Sequence, residues 1–198
     1  MKDILKLGVT LFAICAVAAL VLGVTNNITA PVIEERNIQA SNKARKIVLP
    51  EADDFKKLDD MNSDMILEVY EGIKDREVIG YTIETSSKGY GGAIESMVGI
   101  SKDGKITGVE IGNHSETPGL GSKATEPEFK NQYLDKAVSN PLLVVKGSAN
   151  NENEISAISG ATITSNGVTN GVNVAMKIYN EKLSENANDT SQNENIDP

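Results

Sequence analysis

The sequence predicts an α+β protein, with an N-terminal transmembrane helix followed by an extracytoplasmic domain of largely antiparallel sheet and flanking helices. Three observations carry this reading. From Leu7 to Ile33 no residue is charged, and a helix needs about 20 apolar residues to cross a bilayer. Short β-rich runs follow one another between residues 65 and 111, the last two separated by Asp103-Gly104, a strong hairpin signal. Near the C-terminus Val168, Val172, Ala175, Met176 and Tyr179 recur at helical spacing.

Residues 1–6 read as a cytoplasmic N-terminus, because Lys2 and Lys6 precede the apolar run and positive residues stay inside. Residues 7–30 read as the transmembrane helix. The run exceeds the roughly 7–15 residues of a signal-peptide core, which favours an uncleaved anchor. Anchor and cleaved signal alike export the remainder. Cys15 is the one cysteine, so no intrachain disulfide forms. In its apolar run it reads as a small buried hydrophobe. Residues 31–64 form a helical connector. Its first part, EERNIQASNKARKIVL, is a polar helix ended by Pro50, and its second, EADDFKKLDDMNSD, is charged and turn-rich.

Residues 65–183 form the folded domain. Met65–Tyr70 is a short apolar run, and Val78–Thr85 is rich in β-branched and aromatic residues. Ile94–Ser101 alternates, with Ile94, Ser96, Val98 and Ile100 on one face, and Ile106–Ile111 reads as strand. Glu126-Pro127-Glu128-Phe129 opens a helix predicted to run to Val138, with proline in its first turn. Pro141 precedes LLVV, read as a short buried strand. The C-terminal helix follows, opened by SGATITS. Residues 184–198 are polar and aperiodic, and read as a disordered tail.

The formal charge is −9, from 19 Lys and Arg against 28 Asp and Glu. A nucleic-acid binder needs a basic face to neutralise phosphates, so nucleic acid is excluded as a partner. One His and one Cys do not make a zinc site of the Cys/His kind. No dinucleotide fingerprint or cysteine cluster for iron–sulfur is present.

Three stretches combine glycine with small or polar residues: Gly89-Tyr90-Gly91-Gly92, the run from His114 to Gly121 (HSETPGLG), and SGATITS. Each alone reads as an ordinary turn. Together, as loops at strand ends, they mark a ligand site. SGATITS also opens a helix, where free N–H groups and the dipole favour a phosphate. It carries four hydroxyls, on Ser159, Thr162, Thr164 and Ser165, although a cap needs one.

With these residues in view, the chain resembles the G subunit of the Rnf ion-translocating electron-transport complex. It is also similar to the C subunit of the sodium-pumping NADH:quinone oxidoreductase. The likeness spans the anchor with TNNITAPVI behind it, GYGG, HSETPGLG and SGATITS. It implies an FMN-binding domain at residues 65–183, with FMN joined covalently through its phosphate to Thr162. Thr164 or Ser165 would then cap the helix and donate to the phosphate, Ser159 would shape the turn, and Gly160 and Ala161 would keep the approach open. Tyr90, Gly91, Glu116, Thr117, Gly119 and Leu120 would lie against the ring, and Lys123 would balance charge. His114 takes a hydrogen-bonding role in its loop. No catalytic or metal-binding residue is implied.

A phosphoester leaves the ring free to carry electrons, and the protein tunes it. The tether prevents its loss outside the cell. The family pattern usually has Asp where this chain has Ser156, which puts the rate of flavin attachment in question. The resemblance further implies a single-pass protein of a prokaryotic cell membrane, an electron carrier and not an enzyme by itself. Its partners are the other membrane and peripheral subunits, and a flavin-attaching enzyme. The complex couples ferredoxin:NAD electron transfer to ion translocation. The alternatives are the C subunit of the quinone reductase, a stand-alone exported flavoprotein, and a flavin-free anchored adaptor in which SGATITS is only a helix cap.

Overall fold

The structure, a computed structural model, describes residues 2–59, 61 and 63–184. The predicted disordered tail therefore lies outside the described residues, apart from Ser184. The chain divides into two compact units, residues 1–40 and 41–198.

Helix α1 (Lys2–Val48) runs unbroken through Pro31. It takes in both the apolar run and the polar helix read at residues 34–49. A proline inside a helix removes one donor, a loss that membrane helices tolerate. The Thr10, Thr25 and Thr29 hydroxyls donate to the carbonyls of Lys6, Val21 and Thr25, each at 2.9 Å. These threonine hydroxyls in the apolar run are thus satisfied within the helix. The helix is long and apolar enough to cross a membrane. Its large side chains stand exposed, Phe12 and Leu22 among them. Cys15 is likewise exposed on α1 and not packed in a protein core, a correction to the sequence reading.

In the second unit, strands β1 (Asp54–Lys57), β2 (Ile66–Lys74), β3 (Glu77–Lys88), β4 (Ala93–Ser101) and β5 (Ile106–His114) form one antiparallel meander in chain order. The antiparallel sheet is as expected. The turn-rich connector, however, contains β1. Its sequence, DFKK, hides the strand because three of four residues are charged and only Phe55 is partly buried. Lysines are common on such edge strands, where they block pairing with other chains. The β2–β3 turn passes through Asp75 (φ 52) and Arg76 (φ 74).

One sheet face carries Tyr81, Ile83, Thr85 and Ser87 of β3 beside Ile100, Val98, Ser96 and Ile94 of β4. Helix α3 (Thr162–Ile178) packs on this face, and the Ser87 hydroxyl donates to the Gly167 carbonyl at 2.7 Å. On the other face the Val48 carbonyl accepts from the Thr107 hydroxyl and lies over Gly99. A Cβ at Gly99 would come within 2.3 Å of that oxygen, so only glycine lets the helix end sit directly on the strand. Residues 96–100 are consequently buried on both faces. The alternation read from the sequence marks only the residues facing α3.

The helix expected from 126 to 138 is shorter. Helix α2 (Pro127–Lys130) passes into a 3₁₀ turn (Asn131–Tyr133) and stops. The chain then pairs with the start of β5: the Asp135 N–H donates to the Ile106 carbonyl at 2.9 Å, and the Ile106 N–H to the Lys136 carbonyl at 3.0 Å. Tertiary hydrogen bonding overrides the local helical signal. Strand β6 (Leu143–Val145) runs parallel to β7 (Glu154–Ser156), a strand the sequence did not signal. The buried strand expected at LLVV is corrected too, since Leu143 is 56% exposed. A π-helical turn (Tyr179–Leu183) extends α3. The main core lies between α3 and the sheet, with Tyr179 edge-on to Tyr81.

Candidate functional site

The three glycine-rich stretches meet around a cavity of about 500 Å³, lined by Tyr90, Glu116, Thr117, Leu120, Gly121 and residues 160–164. Ligand pockets typically enclose ~300–1,000 Å³. The loop after β3 brings Tyr90, the loop after β5 brings Glu116 to Gly121, and the first turn of α3 supplies the rest. Tyr90, Leu120 and Ile163 present exposed apolar surface, and the Thr162 hydroxyl group belongs to a half-buried residue.

The turn into α3 is closed by backbone. The Ala161 N–H donates to the Ile158 carbonyl at 2.9 Å, and Gly160 sits at φ +76, which favours glycine. Ser159 is exposed beside it. No side chain caps the helix. The first N–H groups of a helix have no partner within it. Those of Thr162, Ile163 and Thr164 belong to cavity-lining residues, and such a helix start, with its dipole, suits an anion.

Two expectations for the opening hydroxyls are corrected. Thr164 and Ser165 neither cap the helix nor remain free for a phosphate, because both are buried and already engaged. The Thr164 hydroxyl donates to Glu116 Oε2. The Ser165 hydroxyl donates to the Ala161 carbonyl at 3.1 Å and accepts from the Ile158 N–H at 3.0 Å. Of the four hydroxyls, only those of Thr162 and Thr164 belong to the cavity lining.

Glu116 joins the stretches. Its side chain is 6% exposed, and its Oε1 accepts from the Gly91 N–H at 2.9 Å. Gly89 and Gly121 flank it, where a Cβ would lie 2.3 Å from Oε1 and 2.6 Å from Oε2. The Glu116 N–H donates to His114 Nδ1 at 3.3 Å, the loop role expected for that histidine. Gly91 reaches the site through its N–H alone. Gly119 (φ +77) turns the loop beside the cavity, and Lys123 is exposed on the 3₁₀ turn Gly121–Thr125, outside the lining. Ser156 is used locally: its hydroxyl accepts from the Ala149 N–H at 2.8 Å. Glu154 accepts from the Asn150 N–H at 2.9 Å, and bonds from Asn150 and Asn151 hold its carboxyl below the usual range.

Sequence reasoning missed two lining residues. Gly121 belongs to the quoted HSETPGLG run but carries no side-chain signal. Ile163 lines this cavity and a neighbouring one of about 490 Å³ that includes Lys88, Asn166 and Asn170. Its signal was available: it is an apolar residue off the Val168, Val172 and Met176 face of the helix. Among the described residues, no three His, Cys, Asp or Glu side chains gather as a metal site.

This fold and cavity define the class, since residues 89–177 match the family described as the FMN-binding domain. Residues 1–46 match the RnfG N-terminal region. The chain is 44% identical to the G subunit of the Na(+)-translocating ferredoxin:NAD(+) oxidoreductase complex of Acetobacterium woodii, covering 90% of this chain and 92% of that one. It is 37% identical to the G subunit of the proton-translocating ferredoxin:NAD(+) oxidoreductase complex of Clostridium ljungdahlii, over 82% and 84%. The chain belongs to the G-subunit family of the ion-translocating oxidoreductase complexes. Its fold is also similar to the crystal structure of the C subunit of Na(+)-translocating NADH-quinone reductase from Parabacteroides distasonis, at TM-score 0.50 and 25% identity. That likeness covers 58% of this chain and 61% of that one.

Proposed function

We propose that this chain is the FMN-carrying electron-transfer subunit of a membrane complex coupling ferredoxin:NAD electron transfer to ion translocation. FMN is held in the cavity and joined through its phosphate to Thr162, and the domain stands on the extracytoplasmic side. The observation that carries this is the placement of Thr162, at the uncapped N-terminus of α3 and in the wall of the cavity. The cavity fits the group in size and chemistry. The helix N-terminus suits a phosphate, and Tyr90, Leu120 and Ile163 offer apolar contact to a flat ring. FMN supplies the electron chemistry when bound, and the protein supplies binding, orientation and electrostatics.

Alignment along nearly the whole length with G-subunit relatives supports the ferredoxin:NAD reading over the quinone-reductase one. The quinone-reductase relative of Yersinia pestis, a C subunit, matches over 96 residues, 42% of this chain. Mass spectrometry of the native protein after trypsin tests the attachment. The tryptic peptide from Gly147 to Lys177 is expected to gain the mass of FMN less water, localised to Thr162, and Thr162→Val is expected to abolish the gain. An unmodified peptide from flavin-replete membranes would refute the link and favour the flavin-free adaptor.

A further inference from the structure

We propose that Glu116 sets the reduction potential of the bound flavin. This rests on the reading that the cavity holds FMN, and gives Glu116 a part beyond contact with the ring. Glu116 is an almost fully buried carboxylate in the cavity wall. Both its oxygens are engaged, Oε1 accepting from the Gly91 N–H and Oε2 from the Thr164 hydroxyl. No cation answers it: among the described residues the ion pairs involve other acids. His114 lies two residues away along the chain, and its Nδ1 accepts from the Glu116 backbone N–H, not from the carboxyl. Lys123 is exposed and outside the lining. Gly89 and Gly121 press against the two oxygens, so the carboxylate is fixed in place.

A fixed negative charge in a poorly solvated wall acts strongly on charge arriving nearby. Each electron delivered to the cavity without a proton adds one negative charge, which Glu116 opposes. Delivery with a proton leaves the charge unchanged and is not opposed. The charge of Glu116 therefore lowers the potential and favours uptake of a proton with the electron. Electrons come from the reduced one-electron donor of the complex, and in the test from dithionite.

The experiment is a spectroelectrochemical titration of the full-length flavinylated protein in detergent, comparing wild type with Glu116→Gln. Tryptic mass spectra are taken first, to show FMN on Thr162 in both. The substitution keeps the shape and removes the charge. The expected result is a potential raised by on the order of tenfold in the one-electron equilibrium, 59 mV, with FMN loading retained. Full loading with an unchanged potential overturns the proposal and leaves Glu116 as a brace alone. Glu116→Asp gives a second reading, since it keeps the carboxylate. Its potential is expected to stay near wild type, and a rise on the order of tenfold in the one-electron equilibrium, 59 mV, overturns the proposal even if Glu116→Gln fails to load. A wild-type peptide without FMN overturns this inference together with the Thr162 link.

Discussion

Replacing Gly121 with alanine tests whether the three loops are locked together through Glu116. The added methyl would stand 2.6 Å from Glu116 Oε2, 2.7 Å from Thr164 Oγ1 and 3.0 Å from Glu116 Cβ. Real methyl groups do not approach so closely, so the carboxylate or the Gly121–Thr125 turn must move. Overpacking of this kind costs about 1–3 kcal/mol. Displacing the carboxylate also weakens its bonds to the Gly91 N–H and the Thr164 hydroxyl, and hydrogen bonds to charged groups are worth about 1.5–3 kcal/mol. The two effects overlap, so the expected loss is about 2–4 kcal/mol. At roughly 2–4 °C per kcal/mol for a chain of this size, Tm falls by on the order of 10 °C. The near-UV signal of the buried tyrosines, Tyr81, Tyr133 and Tyr179, follows unfolding of the domain in detergent without a contribution from the apolar helix. Gly119→Ala is the control: its methyl meets nothing within 4 Å, so only backbone strain at φ +77 opposes it, about 1 kcal/mol. Equal losses for the two variants, or a loss below about 0.5 kcal/mol for Gly121→Ala, would refute the reasoning.

Arg45→Ala removes a buried guanidinium that bonds Glu68 at 2.7 Å and lies 3.6 Å above the Tyr70 ring. Breaking a buried pair costs about 3–5 kcal/mol. Glu68 is 32% exposed and keeps Lys57 at 2.6 Å, so about 2–3 kcal/mol is expected in urea unfolding. Arg76→Gly relieves a left-handed arginine in the β2–β3 turn, and should stabilise the domain by about 0.5 kcal/mol after the added freedom of the unfolded chain. At alkaline pH the domain should weaken. Burial raises the Tyr81 hydroxyl to about 12 and raises Tyr133 as well, so their stabilisation is complete below pH ~10 and is lost as pH rises through the folded values. For Tyr81 the loss approaches about 2–3 kcal/mol, and Tyr81→Phe should flatten a plot of urea midpoint against pH between about 10 and 12.

Much of the fold was legible because its signals are local. Charge-free length marks the long apolar helix, and β-branched runs mark β3 to β5. The helical spacing of Val168, Val172 and Met176 marks α3. Strand β1 was illegible because DFKK carries no alternation, and the end of α2 because Asp135 and Lys136 bond to Ile106, some thirty residues away in sequence. Within the site, the cluster was legible as three glycine-rich stretches with surplus hydroxyls. The division of labour among those hydroxyls was not. Ser165 reads as a cap and is a brace, since its partners are the Ile158 N–H and the Ala161 carbonyl.

The sequence by itself determined the long apolar N-terminal helix and the antiparallel domain behind it, which follow from composition and periodicity, properties of neighbours along the chain. The family, and with it Thr162 as the residue to watch, came from the resemblance carried by GYGG, HSETPGLG and SGATITS. Only the tertiary structure decided which residues line the cavity, Gly121 and Ile163 among them, and that Thr164 is bound to Glu116 and not free. It also decided that Glu116 stands buried in the cavity wall, with no ion-pair partner among the described residues. The reason is physical: burial and hydrogen-bond partnership belong to pairs such as Gly91 with Glu116 and Glu116 with Thr164. Residues so far apart along the chain meet only when the sheet and α3 close around them.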